Sequence, residues 1–146
     1  MIYTKSLDYK YETDVFVAGG GPSGIAAAVA AARSGKKVFL AESTGCFGGL
    51  GTSGLVPAFA PFDDGENVLA SGIGYEIRQR LALSTPLRNW TTLDVEELKR
   101  EYDKIIVESG VDFSFFTSVY DVVVNHDRIN LNNIRIRRIV SLVFSS

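Results

Sequence analysis

The sequence has few of the residues that build disulfides and metal centres. Its 146 residues include one cysteine, Cys46, and one histidine, His126. A single cysteine excludes an internal disulfide and a multi-cysteine metal site. With one histidine as well, a catalytic zinc site would have to rest on carboxylates, which supply a minority of the ligands in such sites. The sequence therefore predicts no metal centre.

Excess charge and long apolar runs are also lacking. A net charge of −2 gives no reason to expect nucleic acid or an anionic membrane as a partner. The first 13 residues are polar and do not form a signal peptide. The alanine-rich stretch at 22–33 is too short to span a bilayer. We therefore expect one ordinary cytoplasmic domain, with 46% hydrophobic residues to form its core.

The sequence does contain a glycine-rich turn between two regular segments. Residues 15–18 predict a buried strand, and an alanine-rich helix is expected from Pro22 to a stop at Gly35. Between them stands Gly19-x-Gly21-x-x-Gly24, the spacing of dinucleotide-binding turns. Its first glycine permits the tight turn, its second lets backbone approach a pyrophosphate, and its third lets helix and strand pack closely.

The residues around this turn fit an anionic, nucleotide-like ligand. Pro22 suits the first helical turn, and Ser23 stands beside N–H groups that favour an anion. A second apolar run, residues 37–41, stops on Glu42, 18 residues after Gly24. In dinucleotide sites an acid at about this distance meets the ribose hydroxyls. A strand–helix–strand unit that uses glycine only for packing would not require that acid.

A second glycine pair, Gly48 and Gly49, follows within Cys-Phe-Gly-Gly-Leu-Gly-Thr-Ser-Gly-Leu-Val at residues 46–56. With the first turn and Glu42, this run resembles the N-terminal part of FAD-dependent oxidoreductases, in the glutathione-reductase-like superfamily related to fumarate reductase flavoproteins. The resemblance implies an α/β, Rossmann-like FAD-binding domain with a parallel sheet flanked by helices. NAD-binding domains usually lack the second pair, and Glu42 would repel the 2′-phosphate of NADP, so an NAD(P)-dependent dehydrogenase is disfavoured.

The resemblance also implies which residues hold FAD. The first turn and the second glycine pair would meet the pyrophosphate, Glu42 the adenosine ribose, and the backbone of Val119 the adenine. The full set of cofactor-binding residues is Gly19, Gly21, Pro22, Ser23, Gly24, Glu42, Ser43, Gly48, Gly49, Thr52 and Val119.

No catalytic residue and no substrate follow from the sequence. We interpret Cys46 as a small, partly buried thiol, because a redox role needs a lowered pKa that sequence does not reveal. His126 is interpreted as a solvated loop residue, and Trp90 as a residue that packs within its loop.

Further elements are predicted downstream. Residues 43–65 predict a loop with one short helix near Gly49, which the resemblance assigns to the cofactor and active site. A helix is expected over 71–83, with Ile73, Ile77 and Leu81 on one stripe. A second helix is expected to begin at Asp94, its cap, and to end at Gly110. Strands are predicted at 111–115 and 119–124, and a turn follows at 125–128. The resemblance implies that the first of these strands is the third strand of the sheet.

The chain is expected to divide into three segments: an N-terminal extension (1–13), a partial FAD-binding domain (14–125) and an atypical tail (126–146). The net charge changes from −5 over residues 1–125 to +3 over 126–146. We expect the likeness to the family to cover residues 14–124. Family members are longer and complete the FAD site with a later motif. A truncated or frameshifted product, or one piece of a split enzyme, is therefore predicted.

Two functions stay open at this point. One is the FAD-binding portion of a flavoprotein oxidoreductase of unknown substrate. The other is a non-catalytic dinucleotide-binding fragment, or a subunit that a partner chain completes. A sheet cut short would leave an edge and an apolar face uncovered, so self-association into a homo-oligomer, or association with that partner, is expected.

Overall fold

The computed structural model describes residues 13–125 and 128–138. Residues 1–12 of the predicted extension, residues 126–127 of the predicted turn, which include His126, and residues 139–146 lie outside this description. In chain order the elements are β1 (Val15–Ala18), α1 (Pro22–Arg33), β2 (Val38–Ala41), a short 3-10 helix (Gly49–Gly51), β3 (Ala58–Phe59), α2 (Gly72–Arg80), β4 (Thr91–Thr92), α3 (Val95–Glu108), β5 (Asp112–Ser114), β6 (Thr117–Asn125) and β7 (Arg128–Arg138).

A three-stranded parallel sheet forms the centre of the fold, in the order β1-β2-β5. Val15 pairs with Val38 on one side of β2, and Phe39 pairs with Asp112 on the other. Every residue of β2 is buried, as expected for the central strand of a parallel sheet covered by helices. The predicted α/β fold with a parallel sheet, including β5 as its third strand, is confirmed.

The helices bury the apolar faces that the sequence predicts. The alanine-rich α1 packs on β1 and β2 and buries Ile25, Ala28 and Val29. In α3 the buried apolar side chains are Leu98, Tyr102, Ile105 and Ile106. The cap of α3 is also as predicted, because the Asp94 carboxylate accepts a 2.8 Å hydrogen bond from the backbone N–H of Glu97.

A chain of charged side chains joins the three helices. Glu76 of α2 forms ion pairs with Arg33 of α1, at 2.6 Å, and with Arg80 of its own helix, at 2.9 Å. Arg80 in turn lies 2.7 Å from Glu108 at the end of α3. A linked set of this kind constrains all three helices more than one exposed pair would.

The structure differs from the predicted elements at three places. Helix α2 ends at Arg80 instead of residue 83, and Ala82 just beyond has a positive φ of 50° that a helix cannot continue through. The two-residue strands β3 and β4 form a small antiparallel pair that the sequence did not predict. Finally, β7 pairs antiparallel with β6, so much of the predicted tail is a strand. The domain boundary at 125 stays a prediction.

Candidate functional site at the two glycine turns

The first glycine turn joins β1 to α1 and folds back tightly on the helix. Gly19 has a φ of 100°, which favours glycine, and its N–H donates to the carbonyl oxygen of Ala41 at the end of β2. A Cβ on Gly24 would lie 1.9 Å from the carbonyl oxygen of Gly19, so α1 can approach β1 this closely only because residue 24 has no side chain. The first and third motif glycines therefore have the predicted structural roles.

The outer face of the same turn is open. Gly21 precedes the first residue of α1, Pro22, and a Cβ added to Gly21 would have no neighbour within 4 Å. Pro22 and Ser23 are exposed. The first N–H groups of a helix have no partner within it, and glycine offers no side chain to cap them. Together with the helix dipole, this face provides donors and positive potential for an anion.

A second glycine turn lies against the first. Gly48 and Gly49 have φ values of 105° and 51°, and the short helix predicted near Gly49 begins at this residue. The N–H of Gly48 donates a 2.8 Å hydrogen bond to the carbonyl oxygen of Gly20. A Cβ on Gly49 would lie 3.1 Å from the Cα of Gly21. The two glycine turns are far apart in sequence, yet their backbones lie side by side at one face of the site.

Glu42 follows β2 and is 5% exposed. Its Oε2 accepts a 2.6 Å hydrogen bond from the N–H of Gly20, and its Oε1 accepts one of 2.6 Å from the N–H of Thr44 and one of 3.2 Å from the hydroxyl of Ser43. Burial is the largest single influence and raises the pKa, but the hydrogen bonds from Thr44, Gly20 and Ser43 together outweigh it, so the pKa of Glu42 lies below its usual value. The carboxylate is therefore charged at neutral pH.

Thr52 lies inside the loop that carries the second glycine pair. The side chain is 1% exposed, and its hydroxyl donates a 2.6 Å hydrogen bond to the carbonyl oxygen of Phe47. Its methyl group also limits the space beside Gly48, where an added Cβ would lie 2.5 Å from Thr52 Cγ2. The hydroxyl is thus used to shape the loop, and a contact of Thr52 with a cofactor stays a prediction.

Val119 is brought toward the site by the start of β6. The N–H of Thr117 donates to the carbonyl oxygen of Glu42 at 2.8 Å, and the N–H of Glu42 donates to the carbonyl oxygen of Ser114 at 2.9 Å. The chain between β5 and β6 is therefore attached on both sides of Glu42. Val119, two residues further on, is half-buried.

Two residues that position this site were missed at the sequence level. Gly20 is the unmarked member of the glycine run, yet a Cβ there would lie 2.7 Å from Phe47 Cδ1 and 3.1 Å from Glu42 Oε2. Phe47 is fully buried, with ring centroids 5.1 Å from Phe113 and 4.7 Å from Phe115. The signals available were three consecutive glycines and one large apolar residue inside a glycine-rich loop.

Cys46 is partly buried, as predicted, with its Sγ 3.9 Å from the hydroxyl of Thr52. The prediction that Trp90 packs within its loop is wrong, because the side chain is 70% exposed. Within residues 13–125 and 128–138, no three His, Cys, Asp or Glu side chains group as metal ligands. No helix in that part of the chain is long and apolar enough to cross a membrane.

The sequence matches the family described as FAD dependent oxidoreductase over residues 14–142. The chain belongs to this family. FAD is accordingly the cofactor of this FAD dependent oxidoreductase domain. The match continues past residue 124, so the expectation that the likeness would end there is wrong.

Solved structures share the fold of this FAD dependent oxidoreductase domain. THI4 of Thermovibrio ammonificans is 22% identical, with a TM-score of 0.56 over 85% of this chain and 45% of its own. A geranylgeranyl bacteriochlorophyll reductase-like protein of Thermoplasma acidophilum is 18% identical, with a TM-score of 0.58 over 86% of this chain and 35% of its own. A 3-ketosteroid-delta4-(5alpha)-dehydrogenase of Rhodococcus jostii is 17% identical, with a TM-score of 0.57 over 90% of this chain and 43% of its own.

These likenesses show the fold alone. The chain spans less than half the length of each of the three proteins. The comparison with curated proteins found no match.

Proposed function

We propose that this chain is the FAD-binding portion of a flavoprotein oxidoreductase, and that the two glycine turns and Glu42 hold the cofactor. One observation carries the proposal: the open N-terminus of α1, the second glycine turn and a charged carboxylate converge on the backbone of Gly20 and Gly21. N–H donors suit a pyrophosphate, and a carboxylate suits the hydroxyl groups of a ribose. The residues present therefore fit a dinucleotide such as FAD.

The pyrophosphate would lie on the open face beside Gly21. An added Cβ would meet nothing within 4 Å there, which leaves the backbone accessible to a ligand. Pro22 and Ser23 begin the helix whose dipole favours the anion. Gly48 and Gly49 border this face from the second turn, and Gly24 acts indirectly, through the packing of α1 on β1.

The ribose would lie at Glu42. The carboxylate of Glu42 accepts three hydrogen bonds, from the backbone N–H groups of Gly20 and Thr44 and from the hydroxyl of Ser43, and a carboxylate has about four acceptor positions in all. One acceptor position therefore remains for a ribose hydroxyl. Ser43 is exposed beside it, and the backbone of Val119 is proposed to meet the adenine. Thr52 is proposed to hold the shape of the second turn.

Bound FAD would supply the electron-transfer chemistry, as cofactors do in such enzymes. This chain's residues would bind and orient it. The activity and substrate of the whole protein are themselves proposals, because the chain covers 35–45% of the three structures compared. That same coverage favours a second candidate, a dinucleotide-binding unit without catalysis of its own that another polypeptide completes.

We also propose a cytoplasmic protein that associates with itself or with a partner chain. Within the described residues, β1 and β5 are the edge strands of the parallel sheet. Phe113 and Phe116, near one edge, are 39% and 56% exposed. Unpaired edges and exposed aromatic side chains favour association. Light scattering of the purified chain tests this, and a monodisperse monomer would contradict it.

The cofactor proposal is tested by titrating the chain with FAD and following the flavin absorbance and fluorescence. FAD should bind and ADP should compete, because the site recognises the ADP half, whereas FMN should not compete. Gly21→Ala should weaken FAD binding. Gly74→Ala is the control and should leave FAD binding unchanged, because residue 74 is at an exposed position of α2 and an added Cβ has no neighbour within 4 Å. Failure of both FAD and ADP to bind would refute the site as assigned.

A further inference from the structure

A cavity that is open to solvent lies between α2 and the segment that follows it, away from the glycine turns. Its volume is about 230 Å³. The residues around it are both polar and apolar, and they include Tyr75, Arg78, Gln79, Leu83, Thr85 and Leu87. A cavity of roughly 150 Å³ is enough to take up benzene, so this one has room for a small organic molecule.

The unusual feature of this cavity is Arg78, which is only 3% exposed. One guanidinium nitrogen donates to the hydroxyl of Thr91 at 3.2 Å, the other terminal nitrogen donates to the carbonyl oxygen of Thr85, and the group lies 5.5 Å from the ring centroid of Phe62. Among the described residues all of these partners are neutral. A guanidinium has five N–H donors, and two have acceptors here.

Within the part of the chain that the structure describes, no carboxylate forms an ion pair with Arg78. Glu76 is the closest acid along the helix, but its carboxylate is held by Arg33 and Arg80. A buried charge without a counter-charge is unfavourable unless something else compensates it. The ring of Phe62 and two neutral acceptors compensate part of it, and Arg78 lines the cavity.

We propose that this cavity binds a small carboxylic acid, whose carboxylate pairs with Arg78. The planar guanidinium matches a carboxylate in a two-point arrangement. Leu83 and Leu87 provide apolar contact for the body of the molecule, and Tyr75 and Gln79 add polar groups beside it. The cavity has room for a molecule of about the size of benzoate. This site is distinct from the proposed FAD site, and its test needs no FAD.

The experiment titrates the full chain with benzoate at constant ionic strength and measures binding by calorimetry. Benzyl alcohol is the neutral probe of similar shape, and inorganic phosphate is the second anion. Benzoate should bind and benzyl alcohol should bind at least about tenfold more weakly, since hydrogen bonds to a charged group are lost. Arg78→Met should weaken the binding of benzoate at least about tenfold for the same reason. Arg100→Met, which removes an exposed arginine of α3, should leave benzoate binding unchanged.

A second variant keeps the test decisive if Arg78→Met does not fold. Gln79→Trp starts from an exposed side chain and narrows the cavity while Arg78 is retained. Loss of benzoate binding in this folded variant supports the proposal. The proposal is overturned if benzoate does not bind the wild-type chain, if Arg78→Met and Gln79→Trp bind it as well as wild type does, or if phosphate binds more tightly than benzoate.

Discussion

The carboxylate of Glu42 and the backbone N–H of Gly20 are joined by a hydrogen bond of 2.6 Å, between residues 22 apart in sequence. This bond fixes the end of β2 against the turn that opens α1. It also places a negative charge next to the segment that we propose to hold a pyrophosphate. Glu42 therefore contributes to the stability of the fold as well as to the proposed binding of ribose.

Glu42→Gln should destabilise the protein by about 1–3 kcal/mol. Both carboxylate oxygens accept a backbone N–H, from Gly20 and from Thr44, but glutamine offers one oxygen and turns an N–H₂ donor toward the other. Urea unfolding at pH 7 measures the change. Glu66→Gln, at an exposed acid, serves as the control. Equal stability of Glu42→Gln and wild type would show that these hydrogen bonds contribute nothing.

Two alanine substitutions in the first turn should affect different properties, one the stability of the fold and the other the binding of FAD. Gly24→Ala would place a methyl group 1.9 Å from the carbonyl oxygen of Gly19, so we expect a loss of about 1–3 kcal/mol or more in the free energy of unfolding. Gly21→Ala has room for its methyl group and a φ of −69°, so stability should stay within about 0.5 kcal/mol. FAD binding should fall in Gly21→Ala, because its methyl group occupies the open face.

Unfolding curves and FAD titrations of the two variants separate stability from binding. If Gly21→Ala binds FAD as tightly as wild type, the pyrophosphate does not lie on that face. If Gly24→Ala is as stable as wild type, the helix can shift without loss and the close packing is not required.

The ion pairs of Glu76 should make stability depend on pH in the acid range. Hydrogen bonds from Arg33 and Arg80 outweigh the opposing effect of burial and lower the pKa of Glu76 from 4.5 to about 2. A carboxyl group with a lowered pKa stabilises the folded state fully above its unfolded pKa and loses this contribution as the pH falls through its folded pKa. The stability difference between wild type and Glu76→Gln should therefore be constant above about pH 5 and shrink toward pH 2.

Denaturant unfolding at several pH values between 2 and 7 measures that difference. The same series with Glu66→Gln, whose acid is exposed, provides the comparison. A difference for Glu76→Gln that stays constant down to pH 2 would contradict the assignment.

Gly74→Ala should stabilise the protein by about 0.5–1 kcal/mol. Gly74 lies within α2 at an exposed position, and an added Cβ would have no neighbour within 4 Å. The main effect is then a smaller loss of backbone entropy on folding. Thermal or urea unfolding measures it, and a destabilised variant would mean that this segment of α2 needs the freedom of glycine.

Much of this fold could be predicted from local sequence patterns, because turns, helix caps and strand ends depend on residues that are close together along the chain. The turn at Gly19, the helix that begins at Pro22 and the acid after β2 were all predictable in this way. So was the cap at Asp94, since a side chain needs to reach only three residues ahead. The third strand of the sheet followed from the family resemblance.

Other features depend on contacts between distant segments and could not be predicted. The pairing of Ala58 with Thr92 joins two strands of two residues each, which leave no periodic pattern. The burial of Arg78 results from the positions of Phe62 and Thr91, whereas its place in α2 alone predicts an exposed side chain. The contact of Gly48 with Gly20 likewise becomes visible only once the loop has closed on the first turn.

The hydrogen bond between Gly48 and Gly20 also restricts where the chain can change in length. Any insertion or deletion between Glu42 and Gly48 would move one partner of this 2.8 Å bond away from the other. The exposed turn at Asp64–Asn67 carries no such restriction, since the backbone N–H of Asn67 is held by the side chain of Asp64 within the turn itself. Natural or engineered variants should therefore differ in length at this turn, while the distance along the chain from Glu42 to Gly48 stays the same.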